Sequence, residues 1–290
     1  VLNLPKILID AGIGGIEKSY ESLFGNRDEK WVSRARSVVR MALEKINNCD
    51  TLYHNLNHTL LVSDAGHAIL KGKQLRDEDV SPRDWLHFNI AVVCHDIGFV
   101  HGICRLDEGR VFATGLGDES IAMKTEGTDA QLGPWHVDRA KQFIREYFTG
   151  NRRSWIDVDV VCDFIEATRF PVTESAAKKG FDQLDSMVRA ADLIGQLADP
   201  QYLRKMPALY YELREIGKLE EMGYSNPEQM RRAYSAFYRK FIQPYLFQAL
   251  EFLQMTKKGR AWAAALDSHI LFVDQINEQP EMKTGEGRRS

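Results

Sequence analysis

Apolar residues return at helical spacing along most of this chain, and no block alternates as a half-buried strand would. Trp31, Val38, Val39, Ala42, Leu43 and Ile46 fall on one face of a helix over about 28–48. Asn47-Asn48-Cys49-Asp50-Thr51 breaks that pattern and offers a cap for a helix over about 52–72. Ser81-Pro82 starts the next helix, with proline at the first helical position, and Gly98 can end it. Further helices are predicted over 136–149, 155–168, 181–197, 201–222, 227–254 and 259–276, with Pro244 kinking the one it interrupts. Residues 1–27, with several glycines and weak periodicity, predict only a short helix and a loop.

Residues 102–135 carry Gly102, Gly109, Gly115, Gly117, Gly127 and Gly133 among charged residues. They predict a long, flap-like loop insert with little helix. Residues 278–290 are polar and predict a disordered tail. The remainder reads as one all-α domain over 1–277, a helical bundle whose core the 44% hydrophobic content can supply. A formal charge of −3 with no basic block argues against a nucleic-acid polymer as partner. No run of about 18 uncharged apolar residues is present, so no membrane span is expected. Lys6, Asp10 and Glu17 interrupt the apolar N-terminal stretch, unlike a signal peptide. The four cysteines form no C-x-x-C unit, which excludes zinc-finger and thioredoxin-type sites and suits a reduced, cytoplasmic protein.

Chemistry concentrates in three places. The first is Tyr53-His54-Asn55-Leu56-Asn57-His58, where His54 and His58, four apart, would share a helix face. The second is His95-Asp96, near the end of another helix. The third is Asp192, set in the apolar run Val188-Arg189-Ala190-Ala191-Asp192-Leu193, where an unpaired carboxylate is costly. Two imidazoles and two carboxylates make a mixed nitrogen and oxygen donor set, suited to Mn, Fe, Zn or Mg rather than a soft metal. Each piece alone is common by chance, and Asp192 has a plain alternative in an ion pair with Arg189, one turn away. The ordered combination carries the signal.

That order, His58, then His95-Asp96, then Asp192, resembles the HD superfamily of metal-dependent phosphohydrolases. The local text resembles its class I cyclic-nucleotide phosphodiesterase branch. A Tyr-His-Asn segment with a later histidine is met by Tyr53, His54, Asn55 and His58, and an Ala-Asp-Leu segment by Ala191-Asp192-Leu193. The resemblance covers roughly residues 50–250. It implies that His58, His95, Asp96 and Asp192 hold a divalent metal ion, that Asp96 could bridge to a second, and that His54 is the general acid. The implied fold is an HD-type helical domain, and the implied substrate a small, nucleotide-like phosphate mono- or diester.

Around this set the chain departs from the branch. Phe99 stands where the branch has a histidine three residues after the aspartate, with His101 two places on. His136-x-x-Arg139 takes the place of a Glu-x-x-His unit, and Ala167-Thr168-Arg169 that of Ala-Thr-Asp. His101, His136, Arg139, Thr168 and Arg169 are therefore candidates for a second metal or for the phosphate, with ion pairing to surface acids an equal reading of the two arginines. The Phe237 to Pro244 spacing sets a register that puts Tyr234 where the branch has its purine-binding glutamine. Tyr234 and Phe237 are the candidate substrate pocket, and core packing is their alternative. A tyrosine hydroxyl cannot replace an amide's paired donor and acceptor, so cyclic AMP and cyclic GMP are not expected to be good substrates. His67, His87 and His269 read as core or surface histidines. Two other functions fit the same ligands: an HD-fold di-iron oxygenase, which needs further histidines at the site, and a non-catalytic ligand sensor.

Overall fold

The computed structural model describes residues 2–25, 28–149, 155–172 and 183–278. The fold is all-α. The helices are α1 (Leu4–Phe24), α2 (Glu29–Ile46), α3 (Leu56–Asp77), α4 (Pro82–Cys94), α5 (His136–Phe148), α6 (Val158–Glu166) and α7 (Leu184–Leu197). They continue with α8 (Tyr202–Glu215), α9 (Lys218–Met222), α10 (Pro227–Arg232), α11 (Tyr234–Phe237), α12 (Phe247–Gln254) and α13 (Lys257–Glu278). Among the described residues, no helix is long and apolar enough to cross a membrane. The tail expected to be disordered lies, beyond Glu278, outside the described residues.

Local chemistry accounts for most boundaries. Ser81 and Asp84 close a capping box at the start of α4, with Pro82 at the first position. Asp28 and Asp157 cap α2 and α6 by accepting from the backbone N–H of Lys30 and Val160. The expected single helix over 201–222 breaks after Glu215, where Gly217 takes a left-handed φ of 75° and separates α8 from α9. The expected helix over 227–254 is also broken. Pro244 brings no backbone N–H, and the chain passes through a π-type turn at Tyr238–Ile242 and a tight turn at Gln243–Tyr245 before α12.

One further expectation needs correction. Residues 1–27 are not a short helix and a loop; α1 runs 21 residues. Its Ile9, Ile13, Ile16, Tyr20 and Leu23 are buried at helical spacing, and that burial outweighs the cost of its glycines. The Gly-rich insert 102–135 has little helix but is not featureless. Val111–Ala113 pairs antiparallel with Ser120–Ala122, and Asp129–Trp135 forms a 3-10 segment.

α3 lies at the centre, packed by α7, α12, α4, α1 and α13. It crosses α7 closely at Gly195. A Cβ there would lie 2.6 Å from the Cα of Val62, so only glycine permits this approach. A second tight contact sits at Gly98, where a Cβ would lie 1.9 Å from the carbonyl oxygen of His136. It seats the turn after α4 directly on the start of α5.

Of the three histidines read as core or surface, His67 and His87 are buried within this frame and His269 is half-buried. His67 shares a 2.8 Å hydrogen bond with Asn89, and His87 Nε2 accepts from the backbone N–H of Asp157 at 3.0 Å. Burial pushes the imidazoles of His67 and His87 down to about 4 each, with Arg83 adding to the effect at His87. Above pH 6.5 both are neutral in the folded and unfolded chain, so neither makes stability depend on pH. Between about 6.5 and 4 the unfolded chain takes up protons that the folded chain excludes. Stability should therefore fall as pH falls, by about 1.4 kcal/mol per pH unit per histidine. His87→Gln should flatten this decline in urea unfolding across that window; an unchanged slope would show that His87 titrates normally.

Candidate metal centre

His58 sits in the first turn of α3, His95 and Asp96 at the end of α4, and Asp192 in α7. The α3–α7 crossing and the end of α4 bring them together. His58, His95 and Asp192 each offer a donor atom within 4.8 Å of the others, a group that could hold a metal ion. Asp96 Oδ2 lies 3.3 Å from His58 Nε2 and 3.1 Å from His95 Nε2. Asp192 Oδ1 lies 3.3 and 3.5 Å from the same two nitrogens.

The side chains fit a cation. His95 Nδ1 donates to the carbonyl of Val92 at 2.8 Å, which leaves Nε2 as the atom with a free lone pair. His58 Nε2, His95 Nε2 and Asp96 Oδ2 are buried without a hydrogen-bond partner. These are the atoms that face one another across the cluster, and orphaned buried donors converging on one point suit a bound ion. Burial would raise the carboxyl groups of Asp96 and Asp192, but the facing imidazoles of His95 and His58 outweigh it and hold both below the usual carboxylate range. Burial likewise opposes charge on His95, and the carboxylates of Asp96 and Asp192 overcome it and raise the imidazole.

His54 is not on the helix with His58, contrary to the four-residue spacing. Asn55 caps α3 by accepting from the N–H of Asn57, so His54 lies just outside. The capped turn still brings its ring within 5.4 Å of the His58 ring, centroid to centroid. Glu212, on α8, holds this turn. It accepts from the backbone N–H of Tyr53, from that of His54 at 3.2 Å, and from His54 Nδ1 at 2.6 Å. Burial opposes charge on His54, but the Glu212 carboxylate outweighs it and lifts the imidazole to about 9. Glu212 was missed in the sequence. Its signal was a carboxylate three residues after Leu209, on the buried face of α8.

The other candidates divide. His136 stands at the cluster's edge, with Nδ1 donating to the carbonyl of Gly133 and Nε2 3.9 Å from Asp96 Oδ1. Burial lowers its imidazole, against the pull of Asp96. Phe99 lies between, stacked on His54 at 4.8 Å and on His136 at 4.6 Å. His101 is exposed, its Nδ1 paired with the buried carboxylate of Asp129 at 2.9 Å. Thr168 donates to the carbonyl of Ile165, one turn back.

Arg139 is not a free phosphate clamp. It is fully buried and donates to Asp107 through both Nη atoms, and to the carbonyls of Gly98, Val100 and Ala113. Arg169 is paired with Glu166 and Asp138, as the ion-pair reading held. Tyr234 is buried and its hydroxyl donates to the carbonyl of Leu197, so it serves the core rather than a ligand. Phe237 is half-buried beside Phe170 and Phe241.

Asp192 provides the sharpest check on the cluster. Zn²⁺ should raise the Tm of the intact protein, because an ion that binds the folded state alone stabilises it. Asp192→Ala should lose most of that rise. An equal rise in the variant would place the ion elsewhere.

No curated protein matches this chain. Its sequence matches the Npun_R2479-like family over residues 2–276, nearly its whole length, and the chain belongs to that family.

Proposed function

We propose that this protein is a metal-dependent phosphohydrolase of the HD type, acting on a small, nucleotide-like phosphate mono- or diester. The observation that carries the reading is the buried group of His58, His95, Asp96 and Asp192, converging on one point beside a histidine held by a carboxylate. The chain order of the four also resembles the HD ligand set. These four would hold a divalent cation of the Mn, Fe, Zn or Mg class. When bound, such an ion supplies a Lewis acid for phosphoryl oxygens and lowers the pKa of water.

The chain's own residues supply the rest. Asp192 is about one-fifth exposed, and His54 and His136 slightly more, so the cluster opens to substrate along this edge. His54 Nδ1 is tied to Glu212, which leaves Nε2–H to donate. In hydrolysis a water oxygen forms the new bond to phosphorus as the ester P–O bond breaks. The attacking water gives up a proton to solvent, the leaving oxygen takes its proton from His54 Nε2, and His54 is reprotonated from solvent. Glu212 fixes the ring and stabilises the imidazolium before transfer.

The oxygenase alternative needs further histidines facing the cluster. Beyond His54, only His136 approaches it among the described residues, while His101 is engaged by Asp129. The hydrolase reading is therefore preferred.

His54→Ala should retain metal and lower turnover of alkyl phosphate esters by about 10²–10⁴-fold. The loss should shrink on nitrophenyl esters, whose leaving group needs no proton. Glu212→Gln should pull the His54 pKa down from about 9 toward its ordinary 6.5, moving the alkaline limb of the pH–rate profile to lower pH. Equal losses on both ester types would remove His54 from the role. No turnover of any phosphate ester by the metal-loaded protein would overturn the function.

A further inference from the structure

We infer that the centre holds one tightly bound cation per chain, and that Phe99 closes the place beside Asp96 where a second would sit. This rests on the metal-site reading above and goes further by fixing the number of ions.

Asp96 faces two ways. Its Oδ2 points at the His58 and His95 Nε2 atoms, 3.3 and 3.1 Å away, while Oδ1 lies toward His136 Nε2 at 3.9 Å. A neighbouring cation bridged by Asp96 would have to take Oδ1, on the side lined by His54, Phe99 and His136. There the three rings are layered. Phe99 lies nearly parallel to His54, at 10°, and to His136, at 22°, with centroids 4.8 and 4.6 Å apart. Spacings of this size are those of rings in contact, with no room for an ion between them. Phe99 contributes no donor atom, and it is 5% exposed, so it fills the slot and sheds water from it. Gly133 makes space for the ring: a Cβ there would lie 3.3 Å from its edge.

The carboxylates around this side are committed. Glu212 accepts from His54 and from two backbone N–H groups. Asp129 is held by His101 and by the N–H of Asp50. Asp138 lies 2.7 Å from Arg169 and 2.9 Å from Lys141. Apart from His54 Nε2, which carries the proton in the role given it above, a second cation would find Asp96 Oδ1 and His136 Nε2 as its protein donors among these groups. A resident zinc-type ion ordinarily has at least three. Magnesium can manage with one or two when substrate phosphate completes its shell.

The test counts ions and needs no activity. Metal-free protein would be titrated calorimetrically with Zn²⁺, and with Mn²⁺, and metal per chain measured after gel filtration. One equivalent is expected for the natural chain and for Phe99→Leu, which keeps apolar bulk and adds no donor. Phe99→His adds an imidazole beside Asp96 and His136 and is expected to bring a second, weaker equivalent. Two retained equivalents in the natural chain would overturn the inference. So would one in a folded Phe99→His, because Phe99 would then not be what closes the place. No bound ion in the natural chain would instead remove the metal-site reading on which the inference rests. Should Phe99→His fail to fold, the natural chain and Phe99→Leu still decide the count.

Discussion

The crossing of α3 and α7 sets the geometry on which the site depends. Two helices ordinarily keep their axes 8–10 Å apart because side chains stand between them. At Gly195 there is no side chain, and the backbone of α7 comes down on Val62 of α3. His58 is one turn from Val62, and Asp192 one turn from Gly195. The approach that buries apolar surface is thus the one that sets an imidazole of α3 against a carboxylate of α7. α4 packs on both helices, and its end delivers His95 and Asp96 to the same point. These four residues need no dedicated scaffold of their own. They occupy the positions left where three core helices meet.

That economy has an electrostatic cost. Two ionised carboxylates are buried against the same two imidazoles, and three of the facing atoms lack a hydrogen bond. Leaving one buried polar atom unpaired costs about 1–3 kcal/mol. A frame of apolar helices would be more stable with hydrophobic residues at these positions. A cation would change the balance, because it would satisfy the facing lone pairs at once. The same carboxylates that are costly to bury are what would give the cluster affinity for a cation.

The helices and the donor residues were legible in the sequence for a common reason: both are local. Periodicity over a dozen residues marks α2 and α4, and His95-Asp96 is a dipeptide. What was illegible depends on contacts distant in the chain. The place of His54 shows the boundary between the two. Its spacing to His58 suggested a shared helix face, but Asn55 caps α3 and leaves His54 outside, held by Glu212 from 158 residues away. The asparagine was visible; the carboxylate that makes the turn useful was not. α1 fails in the opposite direction. Three glycines in four residues, Gly12, Gly14 and Gly15, weaken helix propensity, and only the tertiary burial of Ile9, Ile13, Ile16 and Tyr20 restores it.

Arg139 joins the insert to the chemistry. As a lone arginine near a candidate metal site it suggested a phosphate clamp, but its planar fork is used on the protein itself. Two of its donors go to the carbonyls of Gly98 and Val100, the residues on either side of Phe99. Others grip Asp107 and the carbonyl of Ala113, within the Gly-rich insert. One guanidinium therefore fixes the backbone that presents Phe99 and fastens the insert behind it. A lysine could not do this, because its three donors radiate from one atom and cannot span a bidentate carboxylate and three carbonyls. The insert begins just past His101, and its tie to Arg139 bears on the ring stack. The arginine acts on the site from behind, by holding still the aromatic ring that separates His54 from His136.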